Sequence, residues 1–258
     1  VTPPTLSGRR ILVTRALHQA GRFSRELSAL GATIVEVPVI EIAPPESFEP
    51  LDEALRNLDR YDWIILTSSN TIERICARAS CFAVNPANAD GLKVAAIGQA
   101  TAKTAERYGF KVTVIPDAYV AESLIDSLHD KVAEKRVLLP RAATARDVIP
   151  EALRAAGAEV DVVEAYRNLL PEAAPERLKQ ATSEGLDAVP FTSSSSVTHL
   201  AEAARLAGIA WPFTGVAAIS IGPITSQTLR ELGWPPAAEA DPSDIQGLIA
   251  AIERILRG

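Results

Sequence analysis

Short apolar runs alternate with amphipathic stretches along the chain: residues 11–13 are apolar, 24–30 carry one apolar face, and 34–37 are apolar again. Strands this short, each followed by a one-faced helix, indicate a parallel sheet, because a parallel connection must climb back to the start of the next strand. The pattern predicts strands near 10–14, 33–37, 62–66, 93–97, 112–115, 136–139, 159–164, 187–191, 216–220 and 236–239. Gly31, Gly109, Gly157 and Gly233 each close an amphipathic stretch just before an extended run. A helix ends there most easily on a left-handed residue, so a structural role is expected for all four.

The pattern occurs twice. Arg10-Ile-Leu-Val-Thr-Arg15 aligns with Arg136-Val-Leu-Leu-Pro-Arg141 at an offset of 126, and Leu30-Gly31-Ala32 with Ala156-Gly157-Ala158. Asp62 and Thr67-Ser68-Ser69 align with Asp187 and Thr192-Ser193-Ser194 at 125. Ile97-Gly98, Thr101, Thr104 and Gly109 align with Ile221-Gly222, Thr225, Thr228 and Gly233 at 124. Two long copies indicate a duplicated domain-sized unit and not a solenoid.

No Pro- or Gly-rich break separates the copies. Prolines cluster instead inside each one, at Pro38, Pro44 and Pro45 and at Pro171 and Pro175. Division there predicts a discontinuous outer α/β domain, 1–38 plus 169–258, an inserted α/β domain, 43–165, and hinge strands at about 38–43 and 164–170. Each domain then owns five strands, and the facing strand ends are expected to line a cleft.

Composition narrows the function. The 258 residues are 47% apolar and 22% charged, ordinary for a globular protein, with no apolar run long enough to span a membrane. With 26 Lys+Arg against 32 Asp+Glu, net −6, bulk charge disfavours a nucleic-acid or anionic-membrane partner, so any anion must be held locally. Cys76 and Cys81 suit neither a disulfide framework nor a zinc or redox pair; they are expected to be small core residues of a cytoplasmic protein. Residues 1–8 lack the layout of a secretion signal, and the chain contains no Met. His18, His129 and His199 lack ligand spacing, so no metal is expected. Dinucleotide, Walker and nucleophile-elbow motifs are also missing.

What remains is a set of strand-to-helix turns: Thr67-Ser68-Ser69-Asn70, Thr192-Ser193-Ser194-Ser195-Ser196, Ile97-Gly98-Gln99-Ala100-Thr101 and Ile221-Gly222-Pro223-Ile224-Thr225. Free N–H groups at a helix start can hold carboxylates or phosphates, and the same hydroxyls can simply cap the helix. Four such turns favour a polyanion. Arg15 and Arg141 end matching strands, which fits either a fold requirement or an anion contact. Tyr166 differs in kind, because its counterpart at offset 126 is Ile40. Packing therefore does not demand a phenol there; it either donates a proton to a ligand or packs at a domain edge with its hydroxyl in water.

These residues resemble the uroporphyrinogen-III synthase family over nearly the whole chain. The likeness runs from Arg10-Ile-Leu-Val-Thr-Arg15 through Thr67-Ser68-Ser69-Asn70 and Ala96-Ile97-Gly98 with Thr101-Ala102. It continues through Gly157-Ala158-Glu159-Val160, Val163 and Tyr166 to Phe191-Thr192-Ser193 and Ile221-Gly222-Pro223 with Thr225-Ser226. Pro190 departs from it, standing where Val or Ile is expected. The resemblance implies two flavodoxin-like, doubly wound domains with five-stranded parallel sheets joined by a two-stranded hinge. It implies a cofactor-independent, monomeric hydro-lyase acting on hydroxymethylbilane, a linear tetrapyrrole with eight carboxylates. Water is lost, ring D is inverted through a spiro intermediate, and uroporphyrinogen III forms. By the same resemblance Tyr166 assists departure of the hydroxyl, a modest contribution because a phenol is a poor Brønsted match at neutral pH. Arg15, Thr67, Ser68, Ser69, Asn70, Gly98, Gln99, Thr101, Arg141, Thr192, Ser193, Ser194, Ser195, Gly222, Pro223, Ile224 and Thr225 would grip the acetates and propionates. Two other readings use the same turns: a non-catalytic polycarboxylate sensor, which would carry an output domain, and a sugar-phosphate isomerase or lyase, which would show a carboxylate or His pair at strand ends.

Overall fold

The computed structural model describes residues 4–15, 17–118, 121–145 and 147–257, with the side chains of 17–20, His18 among them, outside the described set. The chain divides into two compact units: unit 1, Val1–Ile42 with Leu169–Gly258, and unit 2, Ala43–Asn168. It begins with β1 (Arg10–Val13), α1 (Leu17–Ala29), β2 (Thr33–Glu36) and β3 (Glu41–Ala43). Next come α2 (Glu49–Arg56), β4 (Trp63–Leu66), α3 (Ser69–Ser80), β5 (Lys93–Ala96), α4 (Gln99–Arg107), β6 (Val112–Val114) and α5 (Ala121–Leu128). Then follow β7 (Arg136–Ala142), α6 (Val148–Ala155), β8 (Glu159–Leu169), α7 (Ala174–Ser183), β9 (Ala188–Phe191) and α8 (Ser194–Ala207). The chain closes with β10 (Ala217–Ser220), α9 (Pro223–Glu231), β11 (Ala238–Glu239) and α10 (Ile245–Leu256).

Unit 1 carries a five-stranded sheet in the order β11-β10-β9-β1-β2, which in its own chain order is the 2-1-3-4-5 arrangement of flavodoxin-like folds. Unit 2 repeats that order as β6-β5-β4-β7-β8, and β3, where the chain passes from unit 1 into unit 2, extends the sheet beside β8. The sheet therefore has six strands where the pattern gave five. Three residues of mixed polarity read in the sequence only as an extended crossing, and pairing with the long β8 makes them a strand. The core ladders of both sheets are parallel.

Strand alternation sends side chains to opposite faces, and both faces are covered. In β1, Leu12 joins Val189, Phe191, Leu200 and Trp234 on one side, while Ile11 and Val13 join Phe23, Ile219 and Ile252 on the other. In unit 2, Trp63, Ile65, Val137 and Leu139 pack with Leu124 and Leu153. Ile64, Leu66 and Leu138 are equally buried between them in sequence. Each such side chain contributes about 1.5–3 kcal/mol of burial. At matching places a carboxylate fixes the strand start: the Arg10 N–H donates to Asp187 at 2.8 Å and the Arg136 N–H to Asp62 at 2.9 Å. That backbone bond holds the Asp62 carboxyl below its ordinary range.

The four helix-ending glycines all have positive φ, 93° at Gly31 and 79° at Gly233 among them. At Gly31 an added Cβ would also meet Pro4 Cβ at 2.8 Å and Ser7 Cα at 3.2 Å, so no other residue fits without moving backbone. Two expectations are corrected. Pro190 does not interrupt β9: it is buried within the strand, opposite Ile219 of β10, in a ladder that continues to Phe191. The cysteines are not core residues, since Cys81 is exposed and Cys76 half-buried on α3, where burial still pushes the Cys76 thiol up to about 11.

Candidate active site

In both units the carboxyl ends of the central strands run into helices, and each helix start leaves N–H groups without intrahelical partners. In unit 2, Ser68 caps α3 in an extended conformation, its Oγ accepting the Thr71 N–H at 3.1 Å. In unit 1, Ser193 caps α8 the same way, accepting the Ser196 N–H at 3.2 Å. Gly98 and Gly222 begin α4 and α9 from fully extended backbone, without a side-chain cap. Pro223 occupies the first helical position, where a missing N–H costs nothing. Gln99 and Pro223 are exposed, and Ile224 is half-buried.

A second hydroxyl pair ties neighbouring helix starts together in each unit. Ser69 Oγ lies 2.9 Å from Thr104 Oγ1 across α3 and α4, and Thr228 Oγ1 donates to Ser194 Oγ at 2.9 Å across α9 and α8. Both threonines also donate or lean toward the carbonyl four residues back, Ala100 and Ile224, at 3.1 Å. Thr71, Thr104 and Thr228 were not among the sequence-derived candidates. The recurrence of Thr104 as Thr228 at offset 124 was the available signal.

Thr101 and Thr225 are 7% and 4% exposed, and neither hydroxyl has a hydrogen-bond partner among the described residues. Thr67, Ser68, Ser69, Asn70, Thr192, Ser193, Ser194 and Ser195 are all half-buried. Where the strand order of unit 2 reverses, between β4 and β7, a pocket of about 150 Å³ brings Thr67, Ile97 and Arg141 together. Such switch points are the usual ligand sites of this sheet type.

The two arginines have unlike surroundings. Arg141 is ion-paired with Asp147. Arg15, just past β1, has a buried Nε without a partner among the described residues, next to the equally unpartnered Thr14 hydroxyl. Burial alone pulls the Arg15 guanidinium below its ordinary range.

Tyr166 lies in β8 opposite Ala142 of β7, at an irregularity in the ladder, and is 5% exposed. Its hydroxyl lies 3.2 Å from Ser68 Oγ, which in turn lies 2.9 Å from Thr71 Oγ1. No local signal joins residues 68 and 166; only the β7–β8 and β4–β7 pairings do. In unit 1 the His199 Nδ1–H donates to the Val39 carbonyl at 2.9 Å, so that nitrogen is not presented as a base to the serine-rich turn. Among the described residues no three His, Cys, Asp or Glu side chains converge as metal ligands, and no helix is long and apolar enough to cross a membrane.

Comparisons with known proteins agree with this arrangement. The family model described as uroporphyrinogen-III synthase HemD matches residues 21–250. The chain is 37% identical to uroporphyrinogen-III synthase of Synechococcus elongatus over 98% of its own length and 97% of the relative's. It is 28% identical to uroporphyrinogen-III synthase of Chlorobaculum parvum over 86% and 89%. In fold it resembles uroporphyrinogen III synthase of Thermus thermophilus, with a TM-score of 0.69 at 20% identity, covering 97% of this chain and 99% of the other. The enzyme of Helicobacter pylori gives 0.62 at 18% identity, covering 94% and 97%. With two doubly wound units, hydroxyl-capped helix starts and a family match over most of its length, the chain belongs to the uroporphyrinogen-III synthase family, the hydro-lyases of tetrapyrrole biosynthesis.

Proposed function

We propose that the substrate is hydroxymethylbilane and that Tyr166 gives the proton with which its terminal hydroxyl leaves. The observation that carries this is the placement of the phenol: 5% exposed, at a strand end and in contact with Ser68, where the other copy of the fold has Ile40. The terminal C–O bond breaks as the Tyr166 proton passes to the departing oxygen, and the pyrrole lone pair fills the electron deficiency left behind. The ring A methylene then bonds to the substituted carbon of ring D, the older bond from that carbon to the ring C methylene breaks and re-forms at the free carbon of ring D, and the proton that carbon loses on rearomatisation returns to the phenolate. Water is the only by-product.

The larger task is control of shape, since the unaided chain closes without inversion. The carboxylates are taken by the N–H groups and hydroxyls of the helix starts: Thr67 to Asn70, Gly98 to Thr101, Thr192 to Ser195 and Gly222 to Thr225. Arg15 supplies a desolvated cation with hydrogen-bonding capacity to spare, and Arg141 a second, shared with Asp147. A protein of net charge −6 holds a polyanion best by such short-range contacts. The reading is tested by supplying hydroxymethylbilane and separating isomers I and III by chromatography. Isomer III is expected, and isomer I alone in the presence of folded protein overturns it.

A further inference from the structure

Three hydroxyls meet at the start of α3. Ser68 Oγ has the Thr71 N–H at 3.1 Å, Thr71 Oγ1 at 2.9 Å and Tyr166 Oη at 3.2 Å. A serine hydroxyl owns one proton and two lone pairs. The Thr71 N–H takes one lone pair, because an amide can only donate. One proton and one lone pair are left for two hydroxyls, so one of them must donate to Ser68 and the other must accept from it.

The burial of Thr71 decides which. Thr71 is 0% exposed, and among the described residues its Oγ1 touches no acceptor other than Ser68. If it accepted from Ser68, its own proton would be buried without an acceptor, a penalty that folded proteins avoid. Thr71 therefore donates to Ser68, and Ser68 donates to Tyr166. The phenol oxygen accepts, and the phenol proton points away from the relay, available to a ligand.

We propose that Thr71 is a positioning residue: its buried proton sets the direction of the relay Thr71–Ser68–Tyr166, freeing the phenol proton for donation and supplying a hydrogen bond to the phenolate that donation leaves. The catalytic consequence rests on the reading of Tyr166 as proton donor; the direction of the relay does not. Unit 1 provides an internal control. There the counterpart of Thr71 at offset 125, Ser196, gives its proton to the Ser193 carbonyl at 2.6 Å, and the phenol position holds Ile40. Where there is no phenol to orient, the hydroxyl is used up locally.

The test has a spectroscopic and a kinetic arm. Ultraviolet resonance Raman distinguishes a tyrosine whose oxygen accepts a hydrogen bond from one whose proton is donated, through the intensity ratio of its ring doublet. The chain has four tyrosines, so subtracting the Tyr166→Phe spectrum isolates the one of interest. The wild-type difference spectrum is expected to be that of an accepting phenol. Thr71→Val, which keeps the side-chain shape and removes the donor, is expected to move it toward donation, and Thr71→Ser to restore it. In the kinetic arm Thr71→Val is expected to lower kcat about 3- to 10-fold with KM unchanged, and to cost nothing further in the Tyr166→Phe background. A donating phenol in the wild-type spectrum overturns the relay, and this needs no Thr71 variant to fold. An equal kinetic cost of Thr71→Val with and without Tyr166 also overturns it, by showing a merely structural role. An undiminished kcat in Tyr166→Phe removes Tyr166 from the chemistry, while the Raman result still decides the relay's direction.

Discussion

The serine-rich turn of unit 1 and its counterpart in unit 2 cap their helices alike, but what the next polar atoms touch differs. In unit 1, Ser196 closes back on the Ser193 carbonyl. In unit 2, Thr71 faces Ser68, and Ser68 faces Tyr166. A converse difference lies one strand away. Ser220 and Ser226 of unit 1 are fully buried 2.5 Å apart, with Ser226 donating to Glu239. The positions that match them in unit 2 by offset are Ala96, Ala102 and Ile115. A duplicated scaffold thus keeps what every helix start requires, a cap and a neighbour, and diverges where a second hydroxyl either stabilises locally or reaches a reacting group.

The two units are expected to differ most at the phenol. Tyr166→Phe should lower turnover about 10- to 100-fold with the fold intact, whereas Ser196→Ala, at the equivalent of Thr71, should leave turnover within about twofold. Steady-state kinetics on both variants would expose equal losses, which would mean that unit 2 has no special chemical role.

The arginines sharpen it next. Arg15→Gln removes a desolvated cation without a partner among the described residues and should weaken product affinity about tenfold. Arg141→Gln removes one already neutralised by Asp147 and should cost about two- to threefold. Titration calorimetry that reverses this order would place the anion contact in unit 2 alone.

Stability probes the local use of hydroxyls in unit 1. Ser226→Ala strands the buried Ser220 hydroxyl and should cost about 1–2 kcal/mol, lowering Tm by roughly 3–6 °C, while Ala102→Gly at the matching site breaks no hydrogen bond and acts through helix propensity and the loss of one buried methyl. An unchanged melting curve for Ser226→Ala would deny the network any role in stability.

The smallest effect concerns acid. In unit 2, hydrogen bonds from Arg78 hold the Asp52 carboxyl below its ordinary range, with the Arg78 guanidinium also stacked 4.1 Å from the Phe48 ring. A depressed folded pKa gives stability that is complete above the unfolded value, about pH 4, and fades as pH falls toward the folded one. Asp52→Asn should lower Tm by about 2–4 °C at pH 7, with the gap to wild type narrowing as pH falls below the unfolded value. A gap that stays constant across that range would show that the pair contributes through packing and not through charge.

Much of this was legible in one dimension. The repeat, the parallel strands and the glycine helix ends follow from local rules, because a strand buried on both faces, a crossover helix and a left-handed stop each leave their own mark on composition. The turns were legible as helix starts for the same reason. Cys76 and Cys81 were not legible as surface-side residues, since a small apolar side chain fits either face of a helix. Pro190 was misleading, because the sequence shows a missing N–H without showing which neighbour would have used it.

Sequence by itself determined that two copies of one sheet exist, where their helices begin, and that a phenol replaces an aliphatic residue in the second copy. Tertiary structure alone decided what that phenol meets. Ser68 and Tyr166 stand 98 positions apart and come within 3.2 Å only because β4 pairs with β7 and β7 with β8. A hydroxyl's direction depends on every partner within reach, and those partners belong to strands whose order no local pattern encodes.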